Sequence, residues 1–107
     1  MDTHTYIIVF ITTDSAIEAQ QVAEVLLEHR KVACVNIVSD VESHFWWAEN
    51  IELAKESLLI VKTRAVLLPE VINLVKSVHS YSTPEIIALP IIGGNHDYLD
   101  WIGDNVS

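Results

Sequence analysis

Residues 5–12, Thr-Tyr-Ile-Ile-Val-Phe-Ile-Thr, are β-branched and aromatic with no polar alternation. Such a run, too short for a useful helix, predicts a strand covered on both faces. Thr13-Asp14-Ser15 breaks it, and Ser15-Ala16-Ile17-Glu18 has the capping-box spacing that opens a helix. Ala16, Ala19, Val22, Ala23, Leu26 and Leu27 then recur at helical intervals, while Glu18, Gln21, Glu24 and Glu28 fall elsewhere. The helix predicted over 16–29 ends at His29-Arg30-Lys31, basic residues that suit a helix C-terminus.

A second apolar strand is predicted over 32–38, continuing irregularly through 40–43 toward Phe45-Trp46-Trp47. A third spans 56–63 around Leu58-Leu59-Ile60-Val61, and a hairpin near 48–50 joins the two. Val71, Leu74, Val75 and Val78 share one face of a second helix, with Pro69 tolerated in its first turn and an end near His79. Residues 85–92 form a fourth strand, in which Pro90 forces an edge or a bulge because it has no N–H to donate. Gly93-Gly94-Asn95 breaks the chain before a short helix over 96–102. The order β-α-β-β-α-β, with right-handed crossovers, predicts an α+β fold: a ferredoxin-like split β-α-β sandwich with an extra C-terminal helix, residues 1–107 forming one domain. Strands apolar on both sides cannot leave one sheet face in water, so a homo-oligomer that packs its sheets together is expected.

Charge and composition narrow the function. Fifteen Asp and Glu against six Lys and Arg give a net charge of −9, which argues against nucleic acid or an anionic membrane as partner and suits cations. The single Cys34 excludes an internal disulfide, a C-x-x-C pair and a multi-cysteine zinc site. Gly93, Gly94 and Gly103 all lie late, so neither a Walker loop nor a dinucleotide fingerprint can be built. No basic region precedes the short apolar run 7–11, and no segment approaches about 20 apolar residues; a cytoplasmic protein is expected. No set of nucleophile, base and orienting group can be assembled, so neither enzymatic activity nor an organic cofactor is expected.

Four local features could carry chemistry. In Ala33-Cys34-Val35-Asn36-Ile37, Cys34 and Asn36 point one way and the apolar residues the other; a small buried thiol is the ordinary outcome. Ser43, Phe45, Trp46 and Trp47, with Glu49 and Glu52, read as a subunit contact first and a ligand wall second. His79 and Glu85 flank the loop 80–84. If it folds back, imidazole and carboxylate can bind copper(II) or zinc; otherwise each satisfies nearby backbone. His96 and Asp100 are one helical turn apart, a permissible metal pair that a solvated helix face explains equally. Lys62 and Arg64, closing the third strand, could neutralise Glu85, hold an anion or remain solvated.

Taken together, Ala33-Cys34-Val35-Asn36-Ile37, Leu59-Ile60-Val61-Lys62-Thr63, His79-x-Tyr81-x-x-Pro84-Glu85-Ile86 and Gly94-Asn95-x-x-Tyr98-Leu99-x-Trp101 resemble the CutA divalent-cation-tolerance family over nearly the whole chain. The resemblance implies a ferredoxin-like subunit in a homotrimer, similar to the PII signalling proteins. It also implies tolerance to copper(II) or other divalent cations, with His79 and Glu85 as metal ligands. Cys34, Trp47, Lys62, Tyr81 and Trp101 become candidates for an inter-subunit cleft. A PII-like small-molecule sensor, or a trimeric scaffold for a partner protein with incidental metal binding, is the alternative. Ser80, Phe45 and Ala48-Glu49 stand where the family usually has Pro, Tyr and an acidic-Gly turn. Ile11-Thr12-Thr13 supplies no cysteine where some members have one, which removes the soft ligand that copper(I) prefers.

Overall fold

The capping box of the first helix forms only in half. Ser15 caps it by accepting from the Glu18 N–H at 3.1 Å, but the Glu18 carboxylate turns away to Ser80 instead of returning to the cap. In the computed structural model, which describes residues 5–107, the chain runs β1 (Tyr6–Thr13), α1 (Ala16–Glu28), β2 (Cys34–Trp47), β3 (Asn50–Arg64), α2 (Leu68–Val78), β4 (Ile86–Pro90) and α3 (His96–Asp104). A single 3-10 turn, Ala65–Leu67, leads into α2. The strands lie in the order β2-β3-β1-β4 and every pairing is antiparallel. This is the expected ferredoxin-like arrangement, with α3 added. Pro90 ends the edge strand β4, where its missing N–H costs no ladder bond to a further strand.

The core sits between one sheet face and α1 and α2. Ile7, Val9 and Ile11 of β1 alternate into it and meet Leu59 and Val61 of β3. Val22 and Leu26 of α1, with Val71 and Val75 of α2, close it from the helical side. The other face carries the intervening residues, because directly paired residues on antiparallel strands share a face: Ile8 opposite Leu89 and Lys62, and Phe10 opposite Ile87 and Ile60. Ile87 and Leu89 are 52% and 43% exposed there. α3 covers one end; a Cβ on its Gly103 would lie 2.9 Å from the Tyr6 hydroxyl, so a side chain there would have to displace the phenol.

Two departures from the sequence expectation matter for function. First, β3 begins at Asn50, well before residue 56, so β2 and β3 continue as a two-stranded arm beyond the end of β1, which reaches only Thr13 opposite Ser57. Ladder hydrogen bonds sustain this arm without a core beneath it, which the apolar pattern could not reveal; Trp46 and Trp47 are 71% and 62% exposed on it. Secondly, the irregularity in β2 is a bulge: Ser39 and Asp40 together oppose Ser57, and Asp40 takes φ 60°. The extra residue inverts the alternation. Before it Cys34, Asn36 and Val38 share the face away from α1 and α2; after it Val41, Ser43, Phe45 and Trp47 do.

The hairpin turn is two residues long, with Trp47 paired to Asn50, and both Ala48 (φ 49°) and Glu49 (φ 66°) are left-handed. That is the φ signature of a type I′ turn, which Asn-Gly adopts at lower cost. The left-handed region costs an ordinary L-residue roughly 1–2 kcal/mol. Ala48→Asn with Glu49→Gly is expected to stabilise the fold by about 1–2 kcal/mol, read as a raised urea midpoint at unchanged m-value; no gain would rule out the strained turn.

Candidate functional site

His79 is the C-cap of α2, and the chain leaves the helix there in an extended conformation. Its imidazole is 0% exposed. Nε2 lies 2.7 Å from the Thr12 carbonyl oxygen and Nδ1 lies 3.0 Å from the Tyr81 backbone nitrogen. A carbonyl only accepts and an amide N–H only donates, so the ring is neutral with its proton on Nε2. Both ring nitrogens are therefore in use, and a cation reaching either would displace a backbone hydrogen bond. Glu18 Oε1 stands 3.7 Å from Nδ1, while the two Glu18 oxygens accept from the Ser80 N–H and hydroxyl, each at 3.1 Å. The loop is thus bound to the end of β1 through His79 and to α1 through Ser80.

That anchoring aims Tyr81. Its ring packs against the imidazole with centroids 4.9 Å apart, and its hydroxyl donates to Glu56 Oε2 at 2.9 Å. Burial, with Glu56 beside it, pushes the Tyr81 phenol well above its ordinary value, so it remains a donor. Glu56 is only 8% exposed. Glu85, at the start of the fourth-strand segment, shares a cavity with these groups; burial and the Glu56 charge both raise its carboxyl above the ordinary glutamate value.

The cavity measures about 790 Å³. Thr12, Tyr81 and Glu85 line it together with Glu52, Glu56, Phe45, His44 and Trp47 of the β2–β3 ribbon. No lysine or arginine lines it. Glu52 and Glu56 lie on this face by the regular alternation of β3, and Phe45 joins them because beyond the bulge it pairs with Glu52, as Trp47 pairs with Asn50. Of the expected site residues, Trp47, Tyr81 and Glu85 therefore come together with His79 behind them. Cys34, Lys62 and Trp101 belong to the other end of the sheet. There Lys62 Nζ bonds Asn36 Oδ1, and Cys34 Sγ lies 3.9 Å from the same oxygen. A second cavity of about 400 Å³ lies between Lys62, Ile8 and Tyr98. Trp101 stacks on Tyr98 with centroids 5.5 Å apart, and burial and Cys34 raise the Tyr98 phenol. Within one chain the proposed cleft residues thus occupy two places.

Among the described residues no group of three or more His, Cys, Asp and Glu converges as a metal cage, and Glu85 forms no ion pair with Lys62, Arg64 or any other base. Glu56, Glu18 and Thr12 are the site residues that sequence reasoning missed. Glu18 carried a signal, but for a cap; Glu56 carried none, because its partner Tyr81 is 25 residues away.

Two outcomes test this geometry. His79→Ala leaves the Thr12 carbonyl and the Tyr81 N–H unpaired, and is expected to cost about 2–4 kcal/mol by urea denaturation; a loss below about 1 kcal/mol would refute the anchoring role. Because the folded Glu85 carboxyl has a raised pKa, its contribution to stability is full below the ordinary carboxylate range and is lost as pH rises through the raised value. Glu85→Gln should therefore melt higher than wild type at pH 7, with the gap closing toward pH 4.

Comparison with known proteins agrees with the fold. A family model for the CutA1 divalent ion tolerance protein matches residues 7–105. The divalent-cation tolerance protein CutA of Archaeoglobus fulgidus is 47% identical over 98 residues, covering 92% of this chain and 95% of that protein. The protein of the same name from Thermus thermophilus is 43% identical over 98 residues, with the same two coverages, 92% and 95%. The solved structure of the periplasmic divalent cation tolerance protein CutA from Archaeoglobus fulgidus superposes with a TM-score of 0.92 at 45% identity, covering 95% of this chain and 99% of that one.

Proposed function

The chain belongs to the CutA1 divalent ion tolerance protein family, and from that premise we propose that it is a homotrimeric, non-enzymatic binding protein for divalent cations. Its cation contact is Glu85, with Glu56 beside it. The observation that carries this reading is that Glu56 and Glu85 share, with Glu52, a cavity whose lining holds no lysine or arginine among the described residues, the charge of Glu56 raising the carboxyl of Glu85. A cation relieves that repulsion. Two carboxylates and water suit a hard, oxygen-seeking ion; copper(II) or zinc would gain from imidazole, but only if His79 released Thr12 or Tyr81. His79 therefore acts here by positioning Tyr81 and, through it, Glu56.

The sheet face away from α1 and α2 supports the oligomer. Val38, Ile87 and Leu89 form exposed apolar surface across it, and Trp46, Ile51 and Leu53 extend exposed apolar surface along the arm. A second and third copy would remove this area from water at about 25 cal/mol per Å². Cytoplasmic residence belongs to the same proposal, and cell fractionation checks it.

Calorimetry with Mn²⁺ and Cu²⁺ is expected to give saturable binding to the wild type and at least tenfold weaker binding to Glu85→Ala; equal affinities would overturn the assignment. Sedimentation equilibrium at micromolar concentration is expected to give three times the 12.0 kDa chain mass, and a 12.0 kDa species would overturn the sheet-packing argument.

A further inference from the structure

Imidazole is the side chain that ordinarily gains a proton between about pH 8 and 5, and the contacts of His79 decide what that proton would do. The ring is 0% exposed and is held by two hydrogen bonds of opposite sense. Nε2–H donates to the Thr12 carbonyl at 2.7 Å, and Nδ1 accepts from the Tyr81 N–H at 3.0 Å. The first bond suits the neutral and the charged ring alike, because Nε2 carries a proton in both. The second does not. A proton from solvent placed on Nδ1 takes up the lone pair that receives the Tyr81 N–H and sets two donors against each other.

A new partner stands close to that proton. Glu18 Oε1, from α1, lies 3.7 Å from Nδ1 and accepts from the Ser80 hydroxyl at 3.1 Å. A charge-assisted N–H···O⁻ bond is about 2.8 Å long, so a movement on the order of 1 Å closes it. The other charges around the ring have the same sign. Asp14, from the segment before α1, and Glu56, from β3, both act on the Tyr81 side chain whose ring packs against the imidazole at 4.9 Å. Glu85 lines the same cavity as Tyr81. Lys76, one turn back on α2, is exposed, and no lysine or arginine pairs with Glu18, Asp14 or Glu56 among the described residues. These carboxylates favour an imidazolium, while burial and the loss of the Tyr81 contact oppose it.

The same proton acts on both ties of the loop 80–84. Tyr81 loses its backbone acceptor at the end of α2. Ser80 must give up one Glu18 oxygen and keeps its N–H contact to Oε2 at 3.1 Å. The Thr12 bond meanwhile holds the ring in place.

We propose that His79 is a proton-operated latch: with Nδ1 protonated, the ring exchanges the Tyr81 N–H for the Glu18 carboxylate and frees the loop 80–84. The latch goes beyond the cation reading and acts with no ion bound.

The test follows the full chain, isotope-labelled and freed of metal with a chelator, by NMR from pH 7.5 to 5. His79 Nδ1 is expected to gain a proton, with the Tyr81 amide signal moving at the same midpoint. Exchange protection of the Tyr81 amide, corrected for the intrinsic effect of pH, should fall at least tenfold. The His79 amide, bonded to the Val75 carbonyl at 2.9 Å, should keep its protection and so mark the change as local. Glu18→Gln leaves an oxygen for Ser80 but removes the charge, and should lower the midpoint by about one pH unit. That shift separates the latch from titration of Glu56 or Glu85, which bond neither ring nitrogen. A His79 still neutral at pH 5, a Tyr81 amide that stays protected once His79 is charged, or an unchanged midpoint in Glu18→Gln overturns the proposal. Loss of protection at the His79 amide together with Tyr81 also overturns it, because the end of α2 would then be unfolding with the loop.

Discussion

A single uncharged imidazole joins parts of the chain that have no other covalent or helical reason to meet. Through Nε2 His79 reaches the Thr12 carbonyl near the end of β1, and through Nδ1 it receives the N–H of Tyr81, two residues further on. The first contact spans 67 positions of sequence and the second only two, so one ring converts a long-range position into a local direction. Because both hydrogen-bond partners are backbone groups, the ring reads the path of the chain. Tyr81, Glu56 and the cavity floor all follow from where that ring sits.

Much of the fold was legible because apolar periodicity and topology constrain one another. The core positions of β1 and α1 follow directly from spacings of two and of three to four residues. The arm was less legible: its outer part is held by ladder hydrogen bonds between two strands, and backbone pairing leaves no apolar signature. Left-handed positions were invisible for another reason. Arg30, Asp40, Ala48 and Glu49 all have positive φ, whereas none of the three glycines does. Arg30 ends α1 with its N–H bonded to the Leu27 carbonyl and that of Lys31 to the Leu26 carbonyl, a Schellman ending normally marked by glycine. Of the site, His79, Glu85, Tyr81 and Trp47 could be singled out by residue type and by resemblance. Glu56 and Thr12 could not, since their roles arise only from contacts across 25 and 67 positions.

The electrostatics of the chain are unevenly spent. A net charge of −9 spreads mostly over solvated side chains, where a carboxylate costs little. The exception is the cavity beside the arm, where Glu56 is buried, Glu85 is raised, and the Tyr81 phenol is locked as a donor by burial and by Glu56. Lys62, a base that could have balanced them, is committed to Asn36 at the opposite end of the sheet. The negative character of this corner is therefore a product of where the fold sends its few cations as much as of where it sends its acids.

The bulge in β2 is a place where the chain can change length without changing the arm. Val38 pairs with Leu58 and Val41 with Glu56, so both sit on the same side of the ribbon although two residues separate them on β2 and only one on β3. A chain with one residue fewer at 39–40 would close this stretch as a regular ladder, with Phe45 still opposite Glu52 and Trp47 still opposite Asn50. Homologous chains that differ by one position there would therefore present the same aromatic side chains to the same carboxylates.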